Sequence, residues 1–293
     1  MIKHAYLIMI HDDLYQFEKL ISLLDDKRND LYIHVDKKMK NFDFNKYTNY
    51  LQNASVKFID RFDVRWGSVM QIKVTLELIK ASIKEKHNYY HFISGACLPI
   101  KNQDYIHDFF NKSGKDFIEY DDFNNISDNN LNRIKYHHLL EKLWRHKNKF
   151  IEKLSRFIER NFVKVEKTMG INRLKNSNLV FRKGPNWFSI TENTAKYILE
   201  KSSDYLKYFQ YSYCADELFV QSIIYNSTLK DNLYFKDNKT SCMRYIDWER
   251  GNPWTFKMED LNNLLKSDML FARKFSSKVD REIIDKIYKE VKK

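Results

Sequence analysis

Short apolar runs alternate with amphipathic stretches through the first part of the chain. AYLIMI, LYIHV, VKFI, YYHFI and DFIEY each read as a buried strand. Between them, polar and apolar positions fall at helical spacing from Leu14 to Leu24, from Phe44 to Leu51, from Ser68 to about Glu85, and from Asp104 to Asn111. That order predicts β/α units feeding a mostly parallel sheet flanked by helices. Ligands on such sheets bind beyond the carboxyl ends of the strands. From about Leu131 to Lys167 the pattern turns helical and strongly basic, as an inserted arm would. Leu179 to Ile190 returns to strand-like sequence, Thr191 to Tyr208 and Ala215 to Tyr225 read as helices, and the tail is a lysine-rich amphipathic helix. With no internal repeat and no low-complexity linker, residues 1–293 are expected to form a single domain. Its parts would be a nucleotide-binding half (1–120), a helical arm (121–178), and an acceptor and catalytic half (179–293).

At 293 residues and 43% apolar the chain can bury a substantial core. Lys and Arg number 51 against 39 Asp and Glu, a net charge of +12 that would attract phosphates, nucleic acid or anionic lipid headgroups. Cys97, Cys214 and Cys242 form no C-x-x-C pair, which argues against a zinc cage or a disulfide framework and for a reducing compartment. The apolar stretch near the N-terminus is too short to span a bilayer and lacks a small-residue cleavage site, so a cytoplasmic protein is expected.

Candidate chemistry gathers at the strand ends. His11 follows the first strand, Asp36 the second, and Ser94-Gly95-Ala96-Cys97-Leu98-Pro99 the fourth. Singly, each would serve as a turn or cap; together on one edge of a parallel sheet they would surround a nucleotide cleft, with Asp36 accepting bonds from base or ribose. Asp216 and Glu217 open the helix ADELFVQS. Acids are favoured in any first helical turn, yet Glu217 there could also take a proton from an incoming hydroxyl. The C-terminal run from Met243 to Phe275 sets Arg244, Arg250, Arg273 and Lys274 around Trp248 and Trp254, a composition suited either to a solvated basic surface or to a diphosphate and a sugar face. Asp12-Asp13 and Asp121-Asp122 are acidic pairs without an Asp-x-Asp motif at a strand end, so no metal is expected. His137 and His138 lie in the basic arm, where surface or packing roles predominate. The chain carries no Walker, dinucleotide-binding or nucleophile-elbow motif, which weakens kinase, dehydrogenase and hydrolase readings.

AYLIMIHDD, IHVDKK, the V-x-W-G-S of Val64 to Ser68, FISGACLPI, GPNWFSIT, ADELFVQS, RYIDW and LFARKF follow one another in an order that resembles a known family. It is that of the core-2/I-branching β-1,6-N-acetylglucosaminyltransferases and peptide O-xylosyltransferases, with bacterial relatives in capsule and exopolysaccharide synthesis. The resemblance implies a GT-A-type fold, a UDP-sugar donor, inversion at the anomeric carbon, and no required metal or other cofactor. It further implies that Met9, His11 and Asp36 hold the uracil-ribose end, that Ser94, Gly95 and Cys97 lie against the donor, and that Glu217 is the base. Lys274 would meet the diphosphate together with Arg250 or, less well, Arg244. Arg133, Trp187, Asp216 and Trp248 would face the acceptor, a glycan or lipid-linked oligosaccharide at the inner face of the membrane, where the positive surface would bring the protein into peripheral contact with anionic lipid; nucleic acid is not an expected partner. The family loop often has an aspartate where Cys97 stands, and Pro-Asp-Glu is here Ala215-Asp216-Glu217. The rival expectations are a non-catalytic nucleic-acid-binding protein, motivated by the basic arm, and a carbohydrate-binding module in which Glu217 is dispensable.

Overall fold

A computed structural model describes residues 2–235 and 240–292. Its strands are β1 (His4–Ile10), β2 (Asn29–Val35), β3 (Ser55–Phe58), β4 (Tyr89–Ser94), β5 (Cys97–Pro99), β6 (Phe117–Ile118), β7 (Phe188–Thr191), β8 (Arg244–Ile246) and β9 (Phe271–Arg273). The helices are α1 (Leu14–Leu23), α2 (Phe44–Thr48), α3 (Met70–Ser82), α4 (Gln103–Ser113), α5 (Asp128–Lys135), α6 (Lys149–Thr168), α7 (Glu192–Phe209), α8 (Asp216–Tyr225), α9 (Leu261–Lys266) and α10 (Arg281–Val291). The central sheet has the order β3-β2-β1-β4-β7-β6. Strands β1 to β4 pair in parallel, and β7 runs against both β4 and β6. The fold is thus mixed α/β around a mostly parallel sheet.

Strand alternation builds two cores. Tyr6, Ile8 and Ile10 face one side with Phe17 and Leu20 of α1, Phe110 of α4 and Ile284 of α10. Ala5 and Leu7 face the other with Ile79 of α3, Ile198 of α7 and Phe219 of α8. A row of histidines is buried beside α4. The His4 and His107 rings stack at 3.9 Å, and His91 joins them through a 3.0 Å contact with His4 and a 2.7 Å contact with Ser189 Oγ.

Three expectations are corrected. Of DFIEY only Phe117–Ile118 joins the central sheet, Asp116 forming a separate bridge to Leu233, and of the strand-like stretch Leu179–Ile190 only the part from Phe188 is strand, in β7. The segment 131–167 is not one helix: α5 ends at Lys135, a single 3₁₀ turn covers Glu141–Leu143, and α6 starts where Asn148 accepts from the Phe150 amide at 2.9 Å. The turn after β4 does not lead directly into a helix. It is confined to Gly95-Ala96, and Cys97–Pro99 then forms β5, which pairs with β9 in a second sheet of order β5-β9-β8.

Candidate active site

The second sheet explains what the turn after β4 accomplishes. Pairing of Cys97 with Arg273 carries the end of β9 to the carboxyl edge of β4. The amide of Gly95 donates to Met9 O at 2.9 Å, and that of Phe275 to Ala96 O at 2.9 Å, so the chain after β9 is laced to the turn. Farther on, the Asp13 carboxylate caps α1 through Gln16 N at 3.1 Å and accepts from both N and Oγ of Ser277 at 2.6 Å. Residues 271–277 are therefore held across the ends of β1 and β4.

Arg273 and Lys274, joined by a cis peptide bond, lie in this segment. The Arg273 guanidinium bonds Ser94 Oγ and stacks 4.5 Å from the Trp187 ring centre. Burial and the charges of Arg273 and Arg145 lower Lys274 below the ordinary lysine value. Arg145 itself lies 3.5 Å from the Trp66 ring centre. Among the described residues none of Arg145, Arg273 and Lys274 makes an ion pair, so their charges add. His11, at the end of β1, senses Arg273, Asp36 and Lys38 electrostatically, which places it at the same edge. A groove of about 520 Å³ adjoins His11 and runs along Lys38 to Phe42 and Lys278.

The acidic side of the site starts at α8. Glu217 is held by Arg133 Nη1 at 2.7 Å and by Lys183 Nζ at 3.5 Å, and it remains a third exposed. Asp216 accepts on one oxygen from Gln71 Nε2 at 3.0 Å and from Asn186 Nδ2 at 2.9 Å. Burial and the neighbouring Glu217 carboxylate push Asp216 up to about 7. Residues 184–187 connect the two sides. Gly184 N donates to Glu217 O at 3.0 Å, Asn186 holds Asp216, and Trp187 underlies Arg273. Gly184 is required by packing, because a Cβ there would lie 2.0 Å from Glu119 O. Gly67 of the V-x-W-G-S loop, at φ +76, packs a backbone edge against Tyr213, and its carbonyl accepts from Cys214 N at 2.9 Å.

Two arginines named from the sequence are engaged elsewhere, and the other named residues are placed as follows. Arg244 is a core strut: its guanidinium bonds Phe188 O at 2.7 Å, Ser189 Oγ at 2.8 Å and Cys242 O, with 2% exposure. It cannot face a diphosphate without breaking that set. Arg250 is matched by Asp247 and Asp260, each at 2.6 Å, so its charge is already neutralised. Cys97 and Ser94 are buried; Ser94 Oγ accepts from the Arg273 guanidinium, while Cys97 carries the β5 pairing. Asp36 is also buried, accepting from Lys38 N at 2.9 Å and Val64 N at 3.3 Å, and so anchors the V-x-W-G-S loop. Arg133 grips Glu217, and Trp187 lies on the cationic side. Met9 is half-buried at the end of β1, beside Ser94 in register, and Trp248 is exposed on the loop after β8. Sequence reasoning gave no role to Arg145 or Trp66 and left Arg273 among several cations; adjacency to Lys274 was the signal for Arg273, whereas Arg145 meets the site only through tertiary packing.

The acidic pairs are engaged by cations or amides. Asp12 pairs with Lys278 at 2.8 Å, Asp13 caps α1, Asp121 pairs with Lys183 at 2.6 Å, and Asp122 accepts from Asn124 N at 2.8 Å. The three cysteines are free and buried. No helix among the described residues is long and apolar enough to cross a membrane.

No curated protein matches the chain. The family described as Core-2/I-Branching enzyme matches residues 4–269, which takes in every strand from β1 to β8 and ends just before Arg273 and Lys274. The ordered motifs, the mostly parallel sheet and this match over most of its length agree: the chain belongs to the Core-2/I-branching enzyme family, a family of glycosyltransferases.

Proposed function

We propose that this glycosyltransferase has a GT-A-type fold and transfers a sugar of the GlcNAc, Gal or Xyl class from a UDP-sugar to a hydroxyl of a glycan or lipid-linked oligosaccharide. Inversion and independence of metal belong to the same reading, as does a role in bacterial surface glycan synthesis. One observation carries it: Arg145, Arg273 and Lys274 form a cluster of unpaired cations, and the 184–187 loop ties it to the Asp216-Glu217 helix start. Converging cations without acids favour a polyanion, and a diphosphate leaving group is the polyanion that an adjacent carboxylate base would serve.

In this reading Glu217 takes the proton of the acceptor hydroxyl as that oxygen attacks the anomeric carbon. The bond from that carbon to the diphosphate oxygen breaks on the opposite face, and its electron pair leaves with UDP. Arg273 and Lys274 stabilise the charge that develops there. Arg133 and Lys183 hold the base, and Asp216 is a positioning residue whose carboxylate keeps α8 against Gln71 and Asn186. His11 and the groove beside it are suited to the uridine end.

Calorimetric titration of UDP in excess EDTA tests the donor side. Wild type should bind, and Lys274→Ala should bind about 10- to 150-fold more weakly, the equivalent of one charge-assisted contact. Equal affinity in the two proteins would remove Lys274 from the diphosphate, and binding abolished by EDTA but restored by manganese would end the metal-free reading.

A further inference from the structure

Helix α6 is inside out. Its inward face carries the acids: Glu159 accepts from Leu140 N at 2.9 Å and pairs with His138 at 3.1 Å, while Glu166 accepts from His137 N at 2.9 Å and pairs with its ring at 2.6 Å. The apolar side faces outward. Phe150, Leu154, Phe157, Ile158, Phe162 and Val165 recur at helical spacing along one side and are all exposed, Phe150 to 72% and Phe157 to 59%. An exposed stripe of this length on a protein with two well-filled cores requires a partner.

Charge indicates which partner. The flank of the stripe carries Lys149, Lys153, Arg156, Arg160, Lys164 and Lys167. Because Glu159 and Glu166 point inward and Glu152 pairs locally with Lys149 and Arg156, the outward charge is wholly positive. Among the described residues, Lys153, Arg160, Lys164 and Lys167 make no ion pair. Two copies packed through this stripe would set like charges along the seam. A helix of twenty residues with phenylalanines on one face and unpaired basic residues beside it matches the surface of an anionic bilayer.

We propose that α6 lies in the headgroup region of an anionic membrane and docks the protein there. It adjoins the acidic side of the site: Arg156 Nη2 bonds Trp144 O at 2.8 Å, and the Trp144 ring lies 4.2 Å from that of Tyr213, which precedes Cys214 and the start of α8. Docking through α6 would present Glu217 near the lipid surface. The membrane role rests on the helix alone and stands or falls separately from the sugar-transfer reading.

The test is flotation of the full chain with vesicles of phosphatidylglycerol and phosphatidylcholine, against vesicles of phosphatidylcholine alone. Wild type should float with the anionic vesicles and be released by raised salt. Phe157→Asp with Phe162→Asp should abolish flotation, and Lys153→Gln with Arg160→Gln and Lys164→Gln should weaken it about a hundredfold, since each of the three basic residues contributes roughly fivefold at an anionic surface. Both variants alter exposed side chains, so melting curves and UDP affinity should match wild type. Failure of wild type to float, equal flotation of all proteins, or a wild-type dimer that the phenylalanine variant splits in sedimentation equilibrium would each overturn the proposal, the last by assigning the stripe to a second copy.

Discussion

Two arginines near the site should respond to the same substitution in opposite ways. Arg244 is buried between the sheets with its guanidinium bonded to Phe188 O, Ser189 Oγ and Cys242 O. Arg244→Met keeps much of the volume but strands these acceptors away from water, each costing ~1–3 kcal/mol. Allowing for partial relaxation, the loss is about 3–5 kcal/mol. With an unfolding entropy of ~2.1 cal/mol/K per residue, a chain of 293 residues has a melting temperature lowered by about 5–8 °C. Arg273 is different, since its guanidinium rests on Trp187 and Ser94 with no carboxylate partner. Arg273→Met should leave the melting temperature within about 2 °C, as for a surface change, and weaken UDP binding about 10- to 150-fold. Paired thermal melts and UDP titrations of both variants decide the matter. Were Arg244→Met to melt like wild type while losing UDP affinity, the assignment of Arg244 to the core and of Arg273 to the diphosphate would be wrong.

Glu217→Gln should preserve UDP affinity and lower transfer by roughly two to four orders of magnitude; a turnover close to wild type would remove Glu217 as base. Because burial and the Glu217 charge push Asp216 up to about 7, the folded state keeps a proton there that the unfolded chain has already released. Stability on that account falls as pH rises from about 4 to 7, so Asp216→Asn should gain stability relative to wild type at pH 8 and much less at pH 4, as urea unfolding at the two values would show. Burial lowers His34 and His107 to about 4, and His4 and His91 lie well below the ordinary histidine value. The unfolded chain therefore takes up protons first, and stability should be lost as pH falls from 6.5 toward 4, by about 2 kcal/mol at pH 5 for each of His34 and His107. A melting temperature unchanged across that interval would contradict the burial argument.

The early β/α units were legible because each strand is an apolar run bounded by polar turns, and a buried parallel strand leaves just that trace. β7 was harder: Leu179 to Phe181 is equally apolar, but the backbone that follows bonds to α8 and to side chains, as where Arg182 N donates to Ser222 Oγ. The second sheet escaped the sequence because its strands are three residues each and come from distant segments. That sheet decides which arginine reaches the cleft, so the choice between Arg250 and Arg244 could not be resolved by spacing to Lys274. The place of Glu217 at the first turn of an evident helix was legible; its ion pair with Arg133 was not, because a contact between α5 and α8 has no local signature. In α6 the periodicity was clear but its direction was not. Apolar spacing shows that a helix has a face, and only the buried Glu159 and Glu166 show that the apolar face points outward.

If the cation cluster and Glu217 act together on a UDP-sugar, the protein should break the sugar–diphosphate bond and release UDP. This is tested most directly by release of free UDP from a panel of UDP-GlcNAc, UDP-Gal, UDP-Glc and UDP-Xyl in excess EDTA, with wild type, Glu217→Gln and Lys274→Ala side by side. Wild type should release UDP from at least one donor and retain this in EDTA, with weaker donor binding in Lys274→Ala and release lowered at unchanged binding in Glu217→Gln. Release from no donor, or release that neither substitution diminishes, would contradict joint action of the cluster and Glu217.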